Sequence, residues 1–174
     1  ANDALRGRDS ISVLGGSLTL TSGGDGMQSN KGKLTVAGGD FNISAARDGM
    51  QAETEIAILG GNFTIAAGGG NASYAASGDS RKGIKAGLHI SISGGSFTID
   101  SADDAIHSNG GVAISGGMFS IKSGDDGVHA DADLTISGGT INITACYEGL
   151  EASTMTISGG EVTVTSTDDG INIA

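Results

Sequence analysis

The chain has no proline and no tryptophan, a single cysteine, and only 3% aromatic residues in 174 positions. With Cys146 alone, neither an intrachain disulfide nor a cysteine-rich metal centre can form, so thiols supply no framework. Bases are scarce as well: nine Lys and Arg stand against 20 Asp and Glu, a net charge of −11. That imbalance argues against nucleic acid and anionic membranes as partners. Basic small molecules, cations, and polymers bridged by cations remain. No apolar run approaches the ~18 residues of a membrane span, and the N-terminus lacks a basic-then-apolar signal segment. The chain is therefore expected to be soluble as written, any export signal having been removed. An apolar content of 37% is too high for a disordered polyelectrolyte, and the length suits one domain over residues 1–174 with a real core.

What is abundant is glycine, 32 residues, and it is periodic. Gly-Gly pairs begin at Gly15, Gly38, Gly60, Gly94, Gly116, Gly138 and Gly159, in steps of 23, 22, 34, 22, 22 and 21. A second anchor, a charged residue followed by Gly or Ala and an aliphatic, begins at Asp3, Asp25, Asp48, Lys82, Asp104, Asp126, Glu148 and Asp169 and keeps the same rhythm. Between the anchors apolar and small polar residues alternate with period two, as in Leu134-Thr-Ile136 and Ile141-Asn-Ile143. Three very short strands per repeat, with no room for a helix, predict an all-β, single-stranded parallel β-helix, or β-solenoid, of about seven coils of roughly 22 residues. The coil length favours the right-handed type.

Residues one period apart should stack about 4.8 Å apart. Leu5, Met27, Met50, Ile84, Ile106, Val128, Leu150 and Ile171 form one inward column, and Phe41, Phe63, Phe97 and Phe119, every Phe in the chain, form another. Both are core ladders. The one long step holds 12 extra residues, a surface loop at about 66–81. Its Tyr74 is a candidate ligand-touching residue on a flap.

Charge is unevenly spread. Residues 1–87 hold eight acids and eight bases, whereas residues 88–174 hold twelve acids against Lys122 alone, so the whole −11 resides there. At the turn entering the first strand, Asp103-Asp104, Asp125-Asp126, Tyr147-Glu148 and Asp168-Asp169 line one corner on successive rungs. Like charges at that spacing repel by about 1 kcal/mol or more per pair. Arg81 and Lys82, one coil below, can screen Asp103 and Asp104, but no base is seen to reach the upper rungs. Capping of turn amides accounts for one Asp per turn but not for the pair. A divalent cation is the simplest neutraliser, and Ca2+, with six to eight oxygens in loose geometry, fits stacked carboxylates best. Asp103, Asp104, Asp125, Asp126, Glu148, Asp168 and Asp169 are the candidate ligands.

Beside this ladder, outward on the first strand, run Lys85, His107, His129 and Glu151, candidate ligand-binding residues in a polar stripe. Two His one rung apart can take a transition metal, although a solvated face is the plainer reading. Catalysis is disfavoured. Polysaccharide elimination needs a strong base beside the cation and the acidic half offers only Lys122, glycosidases need two carboxylates at a set separation, and no nucleophilic triad is evident.

The segments Ile92-Ser-Gly-Gly-Ser-Phe-Thr-Ile99 and Ser123-Gly-Asp-Asp-Gly-Val-His129 resemble repeats of the bacterial carbohydrate-binding β-helix family, whose members bind cellulose and polygalacturonan and carry calcium. The resemblance spans nearly the whole chain. It implies calcium at Asp103, Asp104, Asp125, Asp126, Asp168 and Asp169, a non-catalytic role, and a secreted or cell-surface location. The first coils depart from it, with Asn2-Asp3, Gly24-Asp25, Arg47-Asp48 and Arg81-Lys82 in place of paired acids. An acidic protein attracts an acidic polyuronate only through shared cations, which makes bridging calcium the expected mechanism. Tyr74 and Tyr147 are the only rings outside the core, too few for stacking platforms. The alternative expectation is structural: a unit that associates head to tail in a filament or adhesive scaffold. Ice binding fails because Asn42, Ser120 and Asn142 interrupt the outward Thr ladder.

Overall fold

The computed structural model describes residues 2–73 and 80–174. Among them there is no helix, and 18 strands join in one sheet whose pairings are all parallel. The first coil reads Leu5–Gly7, Ile11–Val13 and Ser17–Ser22, and each strand pairs with its counterpart about 22 residues later. The β-solenoid expected from the repeat is thus the observed architecture. In the last two full coils the three strands merge into continuous runs, Val128–Ala145 and Leu150–Val164, because backbone pairing there persists through the corners.

The register reproduces the predicted columns. Leu5 pairs with Met27, Met27 with Met50, Met50 with Ile84, and so on through Ile106, Val128 and Leu150 to Ile171. Members on inner coils are fully buried, while Leu5 is half-buried and Ile171 exposed on the terminal coils. The four Phe rings stack with centroids 4.6, 4.8 and 4.6 Å apart and interplanar angles of 5° or less. That spacing is the rung repeat itself, so the sheet sets the ring separation and the rings fill the core without a void.

The corner after the second strand depends on glycine. The second Gly of each pair adopts positive φ, for example +110° at Gly95. A Cβ on Gly95 would also lie 2.9 Å from the Gly61 carbonyl oxygen of the coil below. Neither the conformation nor the stacking admits a side chain.

After the third strand of coil three, Asn62–Ala67, the chain leaves the solenoid at Gly68, Gly69 and Gly70, with φ of +65°, +89° and +85°. The Asn71 N–H donates to Asp100 Oδ1 at 2.6 Å, fastening the base of the insertion to the next coil. Tyr74 lies outside the described residues.

Candidate functional site

At the corner entering the first strand four coils contribute a buried anchor: Asp25, Asp48, Asp104 and Asp126 are all at most 4% exposed. Their burial has a backbone cause. Asp25 Oδ1 accepts the Asp48 N–H at 3.1 Å, Asp48 Oδ1 the Lys82 N–H at 2.8 Å, and Asp104 Oδ1 the Asp126 N–H at 3.1 Å. Capping within the turn occurs at Asp103, whose Oδ1 accepts the Asp104 N–H at 3.0 Å, but the buried anchors cap from one coil to the next. Each such cap satisfies an amide at the corner, where strand pairing cannot.

In Asp104 and Asp126 the second oxygen meets the His three residues on. Asp104 Oδ2 lies 2.6 Å from Lys82 Nζ and 2.8 Å from His107 Nδ1, and Lys82 Nζ also reaches Asp103 Oδ1 at 2.9 Å. Burial pushes the Asp104 carboxyl up, but the bonds from His107 and Lys82 outweigh it and hold the group at about 2. One rung higher, Asp126 Oδ2 lies 2.8 Å and Glu151 Oε2 3.1 Å from His129 Nδ1. The bond to Asp126 pushes His129 up to about 9, so at neutral pH its imidazolium offsets one of the carboxylates gathered here. Two expectations are corrected here. A base does reach beyond the lowest acid pair, and the stripe Lys85, His107, His129 and Glu151 is not a freely solvated face. Lys85 likewise leans onto Asp48, at 4.0 Å, and onto Ser80 Oγ, at 3.0 Å. The sequence carried a signal for this: the stripe residue always stands three past the anchor, as in Asp104-Ala-Ile-His107 and Asp126-Gly-Val-His129.

The seven candidate calcium ligands do not form one ladder. Carboxylate oxygens of Asp103, Asp104 and Asp125 come within 4.8 Å of one another. Asp126 belongs instead to the His129 and Glu151 cluster. Glu148 accepts two contacts from Asn172 Nδ2, at 3.0 and 3.2 Å. Asp168 and Asp169 are exposed and join none of the metal-capable clusters among the described residues. Asp125 is exposed, yet its carboxyl is pushed up, first by partial burial and then by the charges of Asp104 and Asp103. An under-compensated carboxylate facing solvent is what a diffusible cation would relieve.

Asp103 and Asp125 also line an open hollow of about 450 Å³ whose far wall is the insertion, at Asn71, Ala72 and Ser73. From Asn71 a second hollow of about 330 Å³ continues along Gly124, Thr144, Cys146 and Tyr147. The two share Asn71 and Gly124 and form a groove across several coils, with carboxylates at the Asp103 and Asp125 end and small polar residues along the rest. Cys146 is buried, and burial pushes its thiol up to about 11, which leaves it inert packing.

A rigid repeat scaffold that presents an acid-lined groove along one edge is a surface for extended, polar ligands. The model of a family described as carbohydrate-binding domain-containing protein matches residues 1–127 and again 125–170, and the chain belongs to that family. No curated protein and no solved structure matches the chain.

Proposed function

We propose that this chain is a non-catalytic module that binds polysaccharide at the groove beside Asp103 and Asp125, gripping acidic polyuronate through shared Ca2+. The observation that carries the reading is the meeting of Asp103, Asp104 and Asp125 at the rim of that groove, in a chain of the carbohydrate-binding family. Oxygens within 4.8 Å of one another suit an ion with ligand distances of about 2.3–2.6 Å. Lys82 already covers the inner side of this set, so the ion sits on the solvent side, held by Asp103 and Asp125, with coordination positions free for uronate oxygens. Few protein ligands and an ammonium neighbour place the affinity in the weak range of extracellular modules, about 10⁻⁴–10⁻³ M, which suits a secreted or cell-surface protein.

Sign and surface chemistry support bridging over direct contact. A chain of net charge −11 repels a polyanion unless cations lie between them. Tyr147, 49% exposed, is the one exposed aromatic ring among the described residues, so cellulose would find a single stacking platform. Asp104, held at about 2, stays ionised and does not itself serve as a general acid for glycoside cleavage. Co-sedimentation with insoluble polygalacturonate and with cellulose tests the reading. Retention on polygalacturonate in calcium and release in EDTA is expected. Equal retention in EDTA contradicts bridging, and no retention on any polysaccharide contradicts the binding role.

A further inference from the structure

The upper rung of the corner has a different donor set from the calcium-type cluster. We propose that Asp126, His129 and Glu151 form a second metal site, selective for a borderline transition ion such as Zn2+ over Ca2+. The case rests on how oxygens are arranged about His129. Its two ring nitrogens face three carboxylates: Asp131 Oδ1 at 3.2 Å from Nε2, and Asp126 Oδ2 at 2.8 Å and Glu151 Oε2 at 3.1 Å from Nδ1. Even a doubly protonated ring offers Nδ1 one hydrogen, so the two carboxylates there compete for it. A divalent ion placed between the three groups displaces the Nδ1 proton to solvent and serves all of them at once.

Three further features fit. Ligands about 2.0–2.2 Å from a tetrahedral zinc stand about 3.4 Å apart, and the observed 2.8 and 3.1 Å need only a slight opening. Asp131 on the outer nitrogen fixes the ring as the carboxylate partner of a metal-bound His commonly does. Asp126 is buried, only 4% exposed, so one ligand is confined while the more exposed Glu151 can adjust. The fourth position falls to water or a ligand oxygen, since both ring nitrogens of His107 are taken, by Asp104 Oδ2 at 2.8 Å and Asn109 Oδ1 at 2.9 Å.

Comparison along the column gives the same answer. Lys85 leans onto the anchor of the coil before it, Asp48, at 4.0 Å. Glu151, three coils further on in the same column, makes the same lean onto His129. Where the earlier coil has a built-in ammonium, this one has a third ligand. An imidazole nitrogen suits zinc, copper or nickel and adds little for calcium, which takes oxygens. The inference is independent of the polysaccharide reading, since the ion can bind whether or not a glycan does.

Equilibrium dialysis of the full chain against ZnCl2 in a large excess of CaCl2 tests it, with Co2+ absorption reporting a low-symmetry nitrogen and oxygen site. One zinc per chain should be retained. His129→Gln and Glu151→Gln should each weaken it by more than the about 10–100-fold expected for an outer partner. Asp131→Asn should fall within that outer range, and Asp125→Asn should leave zinc unchanged. Circular dichroism checks that each variant is folded; if His129→Gln is not, the partly exposed Glu151→Gln decides. No zinc retained over calcium, or equal retention by the folded Glu151→Gln variant, overturns the proposal.

Discussion

Lys82→Met tests the electrostatics of the corner most sharply. Methionine keeps the unbranched stem and removes the ammonium that lies 2.6 Å from Asp104 and 2.9 Å from Asp103. Asp104 is held at about 2 against an ordinary 3.8, a gap worth about 2 kcal/mol to the ionised fold. Its side chain is 3% exposed and that of Lys82 13%, so breaking the pair approaches the about 3–5 kcal/mol lost when a buried ion loses its partner. His107 remains on Asp104 and keeps part of that, which sets the expected loss at about 2–3 kcal/mol. The pH dependence has a definite sign. A depressed carboxylate stabilises the fold above its unfolded value and loses that effect as pH falls through the folded value. In the wild type this contribution is complete above 3.8 and disappears near 2. In the variant Asp104 rises, so acid unfolding begins at higher pH. The assay is urea denaturation followed by far-ultraviolet circular dichroism, in EDTA and in calcium, across the acid range. Calcium at 100 times its dissociation constant adds about 2.7 kcal/mol, and it should add more to the variant, whose corner has lost its competing ammonium. A variant within about 0.5 kcal/mol of wild type in EDTA, with the same acid limb, would refute the reasoning.

Two other substitutions probe the scaffold. Phe97→Ala should cost about 3–5 kcal/mol in the same denaturation assay, and Phe119→Ala about 1 kcal/mol less, because Phe97 stacks on two rings and Phe119 on one; equal losses would mean that the ring stack adds nothing to burial. Asp25→Asn should leave the melting temperature unchanged or raise it. Asp25 is 1% exposed and its Oδ2 has no hydrogen-bond partner, while burial and then the Asp48 charge push its carboxyl up. Asparagine keeps the acceptor for the Asp48 N–H and removes the charge, so a loss above about 1 kcal/mol would show that the carboxylate is needed.

The sequence announces the fold because a solenoid projects its contacts onto a single period. Once Gly95 and Gly117, or Phe97 and Phe119, are seen 22 residues apart, their stacking follows. The corner was less legible for a physical reason: a column says which residues are neighbours along the axis, but not which way a long side chain bends. His107 and His129 lie on an outward position, yet each turns back to the anchor three residues earlier, drawn by a buried carboxylate with one uncapped oxygen. That bend divides what reads as one acid ladder into an oxygen-only cluster at Asp103 and Asp125 and a mixed cluster at His129. The insertion was visible as an excess of residues. Its part as the far wall of the groove depends on three successive left-handed glycines and the Asp100 clasp, which no periodicity encodes.

The most direct test of the account is isothermal titration of soluble polygalacturonate into the wild-type chain and into an Asp103→Asn, Asp125→Asn double variant, with calcium and with EDTA. The account predicts binding by the wild type in calcium alone, with at least a tenfold loss in the double variant while its fold is retained. Undiminished affinity in the double variant, or binding of equal strength in EDTA, would contradict it.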